Sequence, residues 1–277
     1  MVTMVALGQA LVHAQALGLE RLDAQLLLLH ALGRMPHDRA WLLAHDTDVL
    51  LPEPQSVFKE SVLRRTTGEP IAYITGHKEF YGLDLQVDAR VLVPRPDTET
   101  LVDWALELLA NAPTATRVLD LGTGSGAIAL ALKSVRPDWH VVAVDNSAAA
   151  LDVARTNARR LQLDIACIQT SWLQALQGDF ALIVSNPPYI AERDAHLYAL
   201  RHEPLTALVG GADGLHALRH IASEAPRYLQ PNGWLLLEHG YDQAKAVQTL
   251  LTAAGLQAVQ SRRDLAGTER CTGGRHP

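Results

Sequence analysis

The residues with the clearest chemical potential are Ser185-Asn186-Pro187-Pro188-Tyr189, which follow the apolar run Phe180-Ala181-Leu182-Ile183-Val184. That run reads as a buried parallel strand. Neither proline carries a backbone N–H, and each biases its predecessor away from helix, so the strand must end here with carbonyl oxygens pointing outward. The Asn186 side-chain oxygen and the Pro187 carbonyl can together grip the two protons of a planar NH2 group, with Tyr189 supplying a flat face above it. The chemistry offered is a socket for an amide or amino nitrogen. A plain rigid turn is the alternative, and a second motif decides between them.

That second motif is Val118-Leu119-Asp120-Leu121 followed by Gly122-Thr123-Gly124-Ser125-Gly126 and a helix over 127–135. Glycines here let the backbone approach a ligand and let the helix pack closely on the sheet. The next strand, Val141-Val142-Ala143-Val144, ends in Asp145, whose carboxylate can accept hydrogen bonds from both hydroxyls of a ribose. A dinucleotide fingerprint would read Gly-x-Gly-x-x-Gly, whereas this loop reads Gly-x-Gly-x-Gly with Asp120 just ahead. An acid at that place repels phosphate and suits an ammonium group. S-adenosylmethionine carries an ammonium group and no phosphate. The stretch resembles the first motif of class I S-adenosylmethionine-dependent methyltransferases, and Asp145 matches the ribose-binding acid of that group.

These loops need a sheet to hold them. From residue 117 onward strands and helices alternate, with strands at 117–121, 141–145, 165–169 and 180–185 and a fifth at 234–237. The expected fold class is therefore α/β, and the resemblance to class I methyltransferases implies a Rossmann-like domain with a mostly parallel seven-stranded sheet. Both motifs would then lie at strand carboxyl ends, on one edge of that sheet. Ahead of it, leucines and alanines at helical spacing predict helices over 5–16, 20–32, 36–44 and 54–65, a small bundle. Between the two, residues 76–93 alternate as a hairpin, and Pro94-Arg95-Pro96-Asp97-Thr98-Glu99 leads stiffly into a helix over 99–110. The expected domains are 1–75, a helical unit for substrate recognition or merely a cap on the next domain; 76–93, a hairpin linker; and 94–277, the methyltransferase.

Composition narrows the partners. The chain has 277 residues, 48% hydrophobic and 19% charged, with a net charge of −6, which suits a well-cored protein and lacks the basic excess of one that lives on nucleic acid. Cys167 and Cys271 are far apart and no zinc pattern surrounds them, so neither disulfide nor metal is expected and a reducing cytoplasm fits. No signal peptide is visible, and the leucine run at 26–29 reads as a buried helix face, with no membrane association expected. His216 and His220 have helical spacing but no zinc pattern, and Glu238 and His239 read as structural.

Finer matching covers nearly the whole chain. Asn186-Pro187-Pro188-Tyr189, Pro94-Arg95-Pro96-Asp97-Thr98-Glu99, Gly76 with Glu79-Phe80, Glu203-Pro204 with Ala207-Leu208, and Glu238-His239-Gly240 together resemble the release-factor glutamine-N5 methyltransferases, the PrmC/HemK family. The resemblance implies methylation of the glutamine in the Gly-Gly-Gln tip of peptide-chain release factors. It further implies S-adenosyl-L-methionine as cofactor and S-adenosyl-L-homocysteine as product; a monomer is expected, though the sequence itself does not give the oligomeric state. By it the cofactor residues are Gly122, Thr123, Gly124, Ser125, Gly126, Asp145, Trp172 and Asn186. Asn186, Pro187, Pro188 and Tyr189 hold the glutamine, with Asn186, Pro187 and Tyr189 catalytic. The chain departs from the family at Ser171, where an acid often precedes the tryptophan; Ser171 can accept a bond from the adenine amino group while Trp172 packs near the ring. The segment 192–201 is also short. A rival enzyme reading is an adenine-N6 methyltransferase on nucleic acid, which needs a base-flipping pocket and a basic groove. A third reading is a non-catalytic S-adenosylmethionine-binding adaptor.

Overall fold

The computed structural model describes residues 5–174 and 176–277, so residues 1–4 of the first expected domain and residue 175 fall outside the description. The chain divides into two compact units, one through His77 and the other Lys78–Pro277.

In the first unit, β1 (Val5–Ala6) pairs antiparallel with β2 (Val49–Leu50), and the helices are α1 (Leu7–Ala16), α2 (Arg21–Ala31), α3 (Arg39–Ala44), α4 (Pro52–Thr66) and α5 (Ile71–Thr75). Helix α2 packs against α1, α3, α4 and α5. A helix surrounded in this way must be apolar on several faces, and Leu27, Leu28 and Leu29 are all fully buried. Arg65 Nε donates to Asp23 Oδ2 at 2.7 Å, tying α4 to α2. Helix α3 begins at Arg39, three residues after the expected start, because a turn closed by the Asp38 N–H on the Met35 carbonyl (3.0 Å) comes first.

Next in the chain comes a hairpin, β3 (His77–Phe80) and β4 (Leu83–Gln86), whose tight turn uses positive φ at Tyr81 (52°) and Gly82 (75°). The elements that follow are α6 (Glu99–Leu108), β5 (Arg117–Leu121), α7 (Ala127–Val135), β6 (His140–Asp145), α8 (Ala148–Leu161), β7 (Ala166–Gln169) and β8 (Phe180–Ser185). The chain continues with α9 (Leu205–Leu208), α10 (His216–Glu224), β9 (Leu229–Glu238), α11 (Ala244–Ala253), β10 (Gln257–Arg263) and β11 (Glu269–Arg275).

The seven strands lie in the order β10-β11-β9-β8-β5-β6-β7. Neighbours from β9 to β7 are parallel, and β11 pairs antiparallel with both β9 and β10. The chain runs outward from β5 to β7 and then returns to β8 on the other flank of β5. A crevice opens at such a reversal, outside the strand carboxyl ends. Strand β8 is buried along its whole length, as expected for a central strand covered on both faces. No helix among the described residues is long and apolar enough to cross a membrane.

Candidate active site

The glycine-rich turn between β5 and α7 is built by its own backbone. Gly122, Gly124 and Gly126 all take positive φ (72°, 55° and 85°), a region closed to most side chains. A Cβ on Gly126 would lie 3.1 Å from Leu130 Cδ1 and 3.3 Å from Ala154 Cβ, so the loop also needs glycine there for α7 to seat against α8. The N–H groups of Gly122 and Thr123 both donate to the Val144 carbonyl (2.9 Å each), that of Gly126 to the Thr123 carbonyl (2.8 Å), and that of Gly124 to Asp145 Oδ2 (3.0 Å). With these donors committed inside the protein, the turn is a poor anion nest and a good smooth wall.

Asp145 closes β6. Its Oδ1 accepts from the Ser147 N–H at 2.9 Å and its Oδ2 from Gly124, which uses two of about four acceptor positions on a carboxylate and fixes the plane of the group. Buried Asn157, on α8, fastens the loop from behind: its Nδ2 donates to the Ser125 carbonyl (2.9 Å) and the Gln86 carbonyl (3.0 Å), and its Oδ1 accepts from the Gln86 N–H (2.7 Å).

A cavity of about 470 Å³ opens above these residues. Its wall includes Gly122, Thr123, Gly124, Ser125, Asp145, Ser171, Trp172, Asn186 and Pro188, together with Phe80, Arg90, Arg95, Thr98 and Ala207. Asp145 and Asn186 therefore face one space, at the carboxyl ends of β6 and β8. Trp172, at φ 52°, lies over the turn, its Cζ3 3.7 Å from where a Cβ on Gly122 would sit.

Four expected residues fare differently. Asp120 does not reach the cavity: it is fully buried, its Oδ2 accepts from Thr123 Oγ1 (2.6 Å) and the Ala129 N–H (3.2 Å), and burial pushes its carboxyl up to about 7. It braces the glycine turn from beneath instead of meeting a ligand's ammonium group. Gly126 and Pro187 are buried and do not line the cavity. The Tyr189 ring is likewise not on the cavity wall but packs against the core around β8 and β9, its hydroxyl donating to Glu238 Oε1 at 3.3 Å. An apolar ring with a polar tip settles where the ring is dry and the tip has an acceptor. Burial pushes that phenol well above its ordinary range.

The turn after Asn186 is held by residues with no local signature. Gln243 Nε2 donates to the Tyr189 carbonyl (3.0 Å), and Gln243 Oε1 in turn accepts from the Gly240 N–H (2.8 Å). The loop at 210–214 passes directly against the turn: the Gly210 N–H donates to the Ile190 carbonyl (2.9 Å), and a Cβ on Gly210 or Gly214 would collide with the Pro188 or Tyr189 carbonyl oxygen. On the entry side, Arg95 forms an ion pair with Glu203, whose Oε2 also accepts from the Val93 N–H (3.0 Å). Asn186 Nδ2 donates to Thr98 Oγ1 at 3.2 Å. His239 is buried, with Nδ1 donating to the Gly240 carbonyl (2.8 Å) and Nε2 accepting from the Thr272 hydroxyl (2.7 Å), so both ring nitrogens are occupied and burial holds the ring neutral.

Comparison with known proteins gives this geometry a lineage. Residues 5–76 match the PrmC N-terminal domain model and residues 98–207 the methyltransferase small domain model. A release factor glutamine methyltransferase of Bordetella pertussis is 52% identical over 261 residues, covering 93% of this chain and 95% of that protein. The one from Escherichia coli is 44% identical over 274 residues, covering 98% and 97%. The chain belongs to the release factor glutamine methyltransferase family.

Solved structures agree on the fold alone. A methyltransferase from Pyrococcus furiosus superposes with a TM-score of 0.54 at 20% identity, covering 79% of this chain and 98% of that one. A Thermus thermophilus ribosomal RNA methyltransferase solved with S-adenosylmethionine and guanosine gives 0.53 at 19% identity, covering 73% of this chain and 50% of that one. Members of this family thus share with more distant methyltransferases the sheet that brings Asp145 and Asn186 to one rim.

Proposed function

We propose that this family member transfers a methyl group from S-adenosylmethionine to the side-chain amide nitrogen of the glutamine in the Gly-Gly-Gln loop of peptide-chain release factors. The observation that carries the reading is that Asp145 with the glycine turn and Asn186 with its proline turn line a single cavity. Its volume of about 470 Å³ is that of a site for a nucleoside-sized ligand. The fit to the cofactor is chemical as well: a fixed carboxylate for ribose hydroxyls at Asp145, a side-chain-free wall at residues 122–124, and the Trp172 ring with Ser171 beside it for a purine. Bound there, S-adenosylmethionine supplies an electrophilic methyl group on a sulfonium centre.

The protein's own task is to prepare the nitrogen. A glutamine amide is a weak nucleophile because its lone pair is delocalised into the carbonyl. Asn186 Oδ1 would accept a hydrogen bond from the NH2, restrain it in one orientation and stabilise positive charge as it develops on nitrogen. The N–H protons grow acidic as the new C–N bond forms, so one passes to solvent after the transfer and no side chain has to remove it beforehand. His239, with both nitrogens bonded, is not placed to act as a base. The unit through His77, matching the family's amino-terminal domain, is assigned to recognition of the release factor.

The test is Asn186→Ala with purified release factor as substrate. Turnover should fall by about 10²–10³-fold, the size of effect seen when one charge-stabilising hydrogen bond is removed from an active site, while the melting temperature changes little. Turnover close to that of the parent enzyme would contradict the role given to Asn186.

A further inference from the structure

Arg95 brings to the cavity a set of hydrogen-bond donors that the fold itself does not use. Its side chain lines the cavity and is 37% exposed. Its Nη2 donates to Glu203 Oε1, and its other N–H groups have no partner among the described residues. Glu203, 108 residues further along the chain, has a side chain only 2% exposed, and its Oε2 accepts from the Val93 N–H (3.0 Å). A buried carboxylate thus fastens both the guanidinium and the backbone beside it, so the fork has one fixed direction. Pro94 and Pro204, the chain neighbours of this pair, also line the cavity and carry no N–H of their own. Arg90 lines it too, but its Nε and Nη2 close on Asp88 at 2.8 and 2.6 Å.

We propose that Arg95 is a substrate-binding residue, whose uncommitted N–H groups take main-chain carbonyl oxygens of the peptide loop that carries the target glutamine. Glu203 decides between a carbonyl and an anion. The positive charge of Arg95 is already matched by a buried carboxylate, so a second carboxylate, such as that of S-adenosylmethionine, would be held close to Glu203 and repelled by it. A neutral carbonyl meets no such repulsion and still gains a hydrogen bond from a charged donor. In a Gly-Gly-Gln loop the two residues ahead of the glutamine have no side chains, which leaves their carbonyls open to a guanidinium fork. Asn186 then restrains the amide nitrogen while Arg95 restrains the main chain ahead of it. A loop gripped at two points presents its side chain in one orientation.

This inference rests on the reading that a peptide glutamine is the methyl acceptor, and the experiment separates the two. Arg95→Lys keeps a positive charge for Glu203 but exchanges the planar fork for a single ammonium group. With release factor as substrate it should raise KM by about tenfold or more, the loss expected when hydrogen bonds from a charged donor are removed. Its kcat at saturating release factor should stay within about threefold, because the lost contact is the same in ground and transition states. Its S-adenosylmethionine Kd, measured by calorimetry, should stay within about twofold. Arg95→Met combined with Glu203→Gln removes both charges together and still leaves the Val93 N–H an acceptor, so it should show the same rise in KM without an unpaired buried charge. The proposal is overturned if either variant keeps KM within about twofold of the parent, or if the loss falls on kcat and melting temperature alone. It is overturned equally if the S-adenosylmethionine Kd rises as much as KM, which would give Arg95 to the cofactor's carboxylate. In each of these cases the parent enzyme still methylates the glutamine. A parent that leaves release factor unmethylated would instead sink the functional reading first, and the Arg95 contact with it.

Discussion

Gly214→Ala tests whether the substrate turn is held by its surroundings. Gly214 has φ +74°, so alanine there costs about 1 kcal/mol of left-handed strain. The added methyl would also overlap the Tyr189 carbonyl oxygen and lie 2.8 Å from Gln243 Nε2, where ordinary contact begins at 3.4 Å. Gln243 must therefore retreat by about 0.6 Å, and the Tyr189 carbonyl by on the order of 1 Å. The 3.0 Å bond between them is then lost, at a further cost of about 1 kcal/mol. Because a misplacement of about 1 Å near reacting atoms can cost about 10²-fold in rate, kcat for methyl transfer should fall by about two orders of magnitude. The S-adenosylmethionine Kd, set by the other side of the cavity, should hold within about threefold. Gly255→Ala is the matched control: it has φ +85° and nothing within 4 Å of the added methyl, so it pays the strain without the collision and should leave kcat unchanged. Radiolabel transfer, calorimetric cofactor binding and thermal melts on both variants read out the comparison. Equal kcat values for the two would refute the claim that close backbone packing positions the turn.

Two further outcomes follow from charged groups. Asp145→Asn leaves only one oxygen where two backbone N–H groups now donate, from Gly124 and Ser147, so the amide would set a donor against a donor. S-adenosylmethionine binding measured by calorimetry should weaken by about 10–100-fold, and an unchanged Kd would remove Asp145 from the cofactor site. Asp120, pushed up from 3.8 to about 7 by burial, keeps its proton in the folded state over a pH range where the unfolded chain has released it. Stability therefore falls as pH rises through that window, by up to about 4 kcal/mol. Asp120→Asn cannot titrate, so its melting temperature relative to the parent should climb between pH 5 and pH 8, and a difference independent of pH would show that Asp120 is not buried as a neutral acid.

The sequence made the two binding turns legible because each carries its own backbone chemistry: prolines that end β8, glycines that allow the turn after β5, and an acid closing β6. Strands β5 to β8 were visible as apolar runs of the right length. Short elements were not: β1, β2 and α5 span too few residues for a period to emerge, and their form is set by packing in the first unit. Strand β9 begins at Leu229, five residues before the apolar run that signals it, in a stretch carrying Pro231, Asn232 and Gly233. Asp120 was misplaced because a strand covered on both faces shows no alternation to say which way an acid points. Asn157 and Gln243 could not be picked out, since their partners lie 71 and 54 residues away in the chain. Contacts of that range leave no trace in local spacing.

The central claim, that one cavity brings a methyl donor to a glutamine amide, is tested most directly by incubating the protein with methyl-labelled S-adenosylmethionine and, separately, a release factor, the same factor with its Gly-Gly-Gln glutamine changed to alanine, and DNA. The account predicts label on the intact factor alone. Label on the alanine variant, or on DNA, would contradict it.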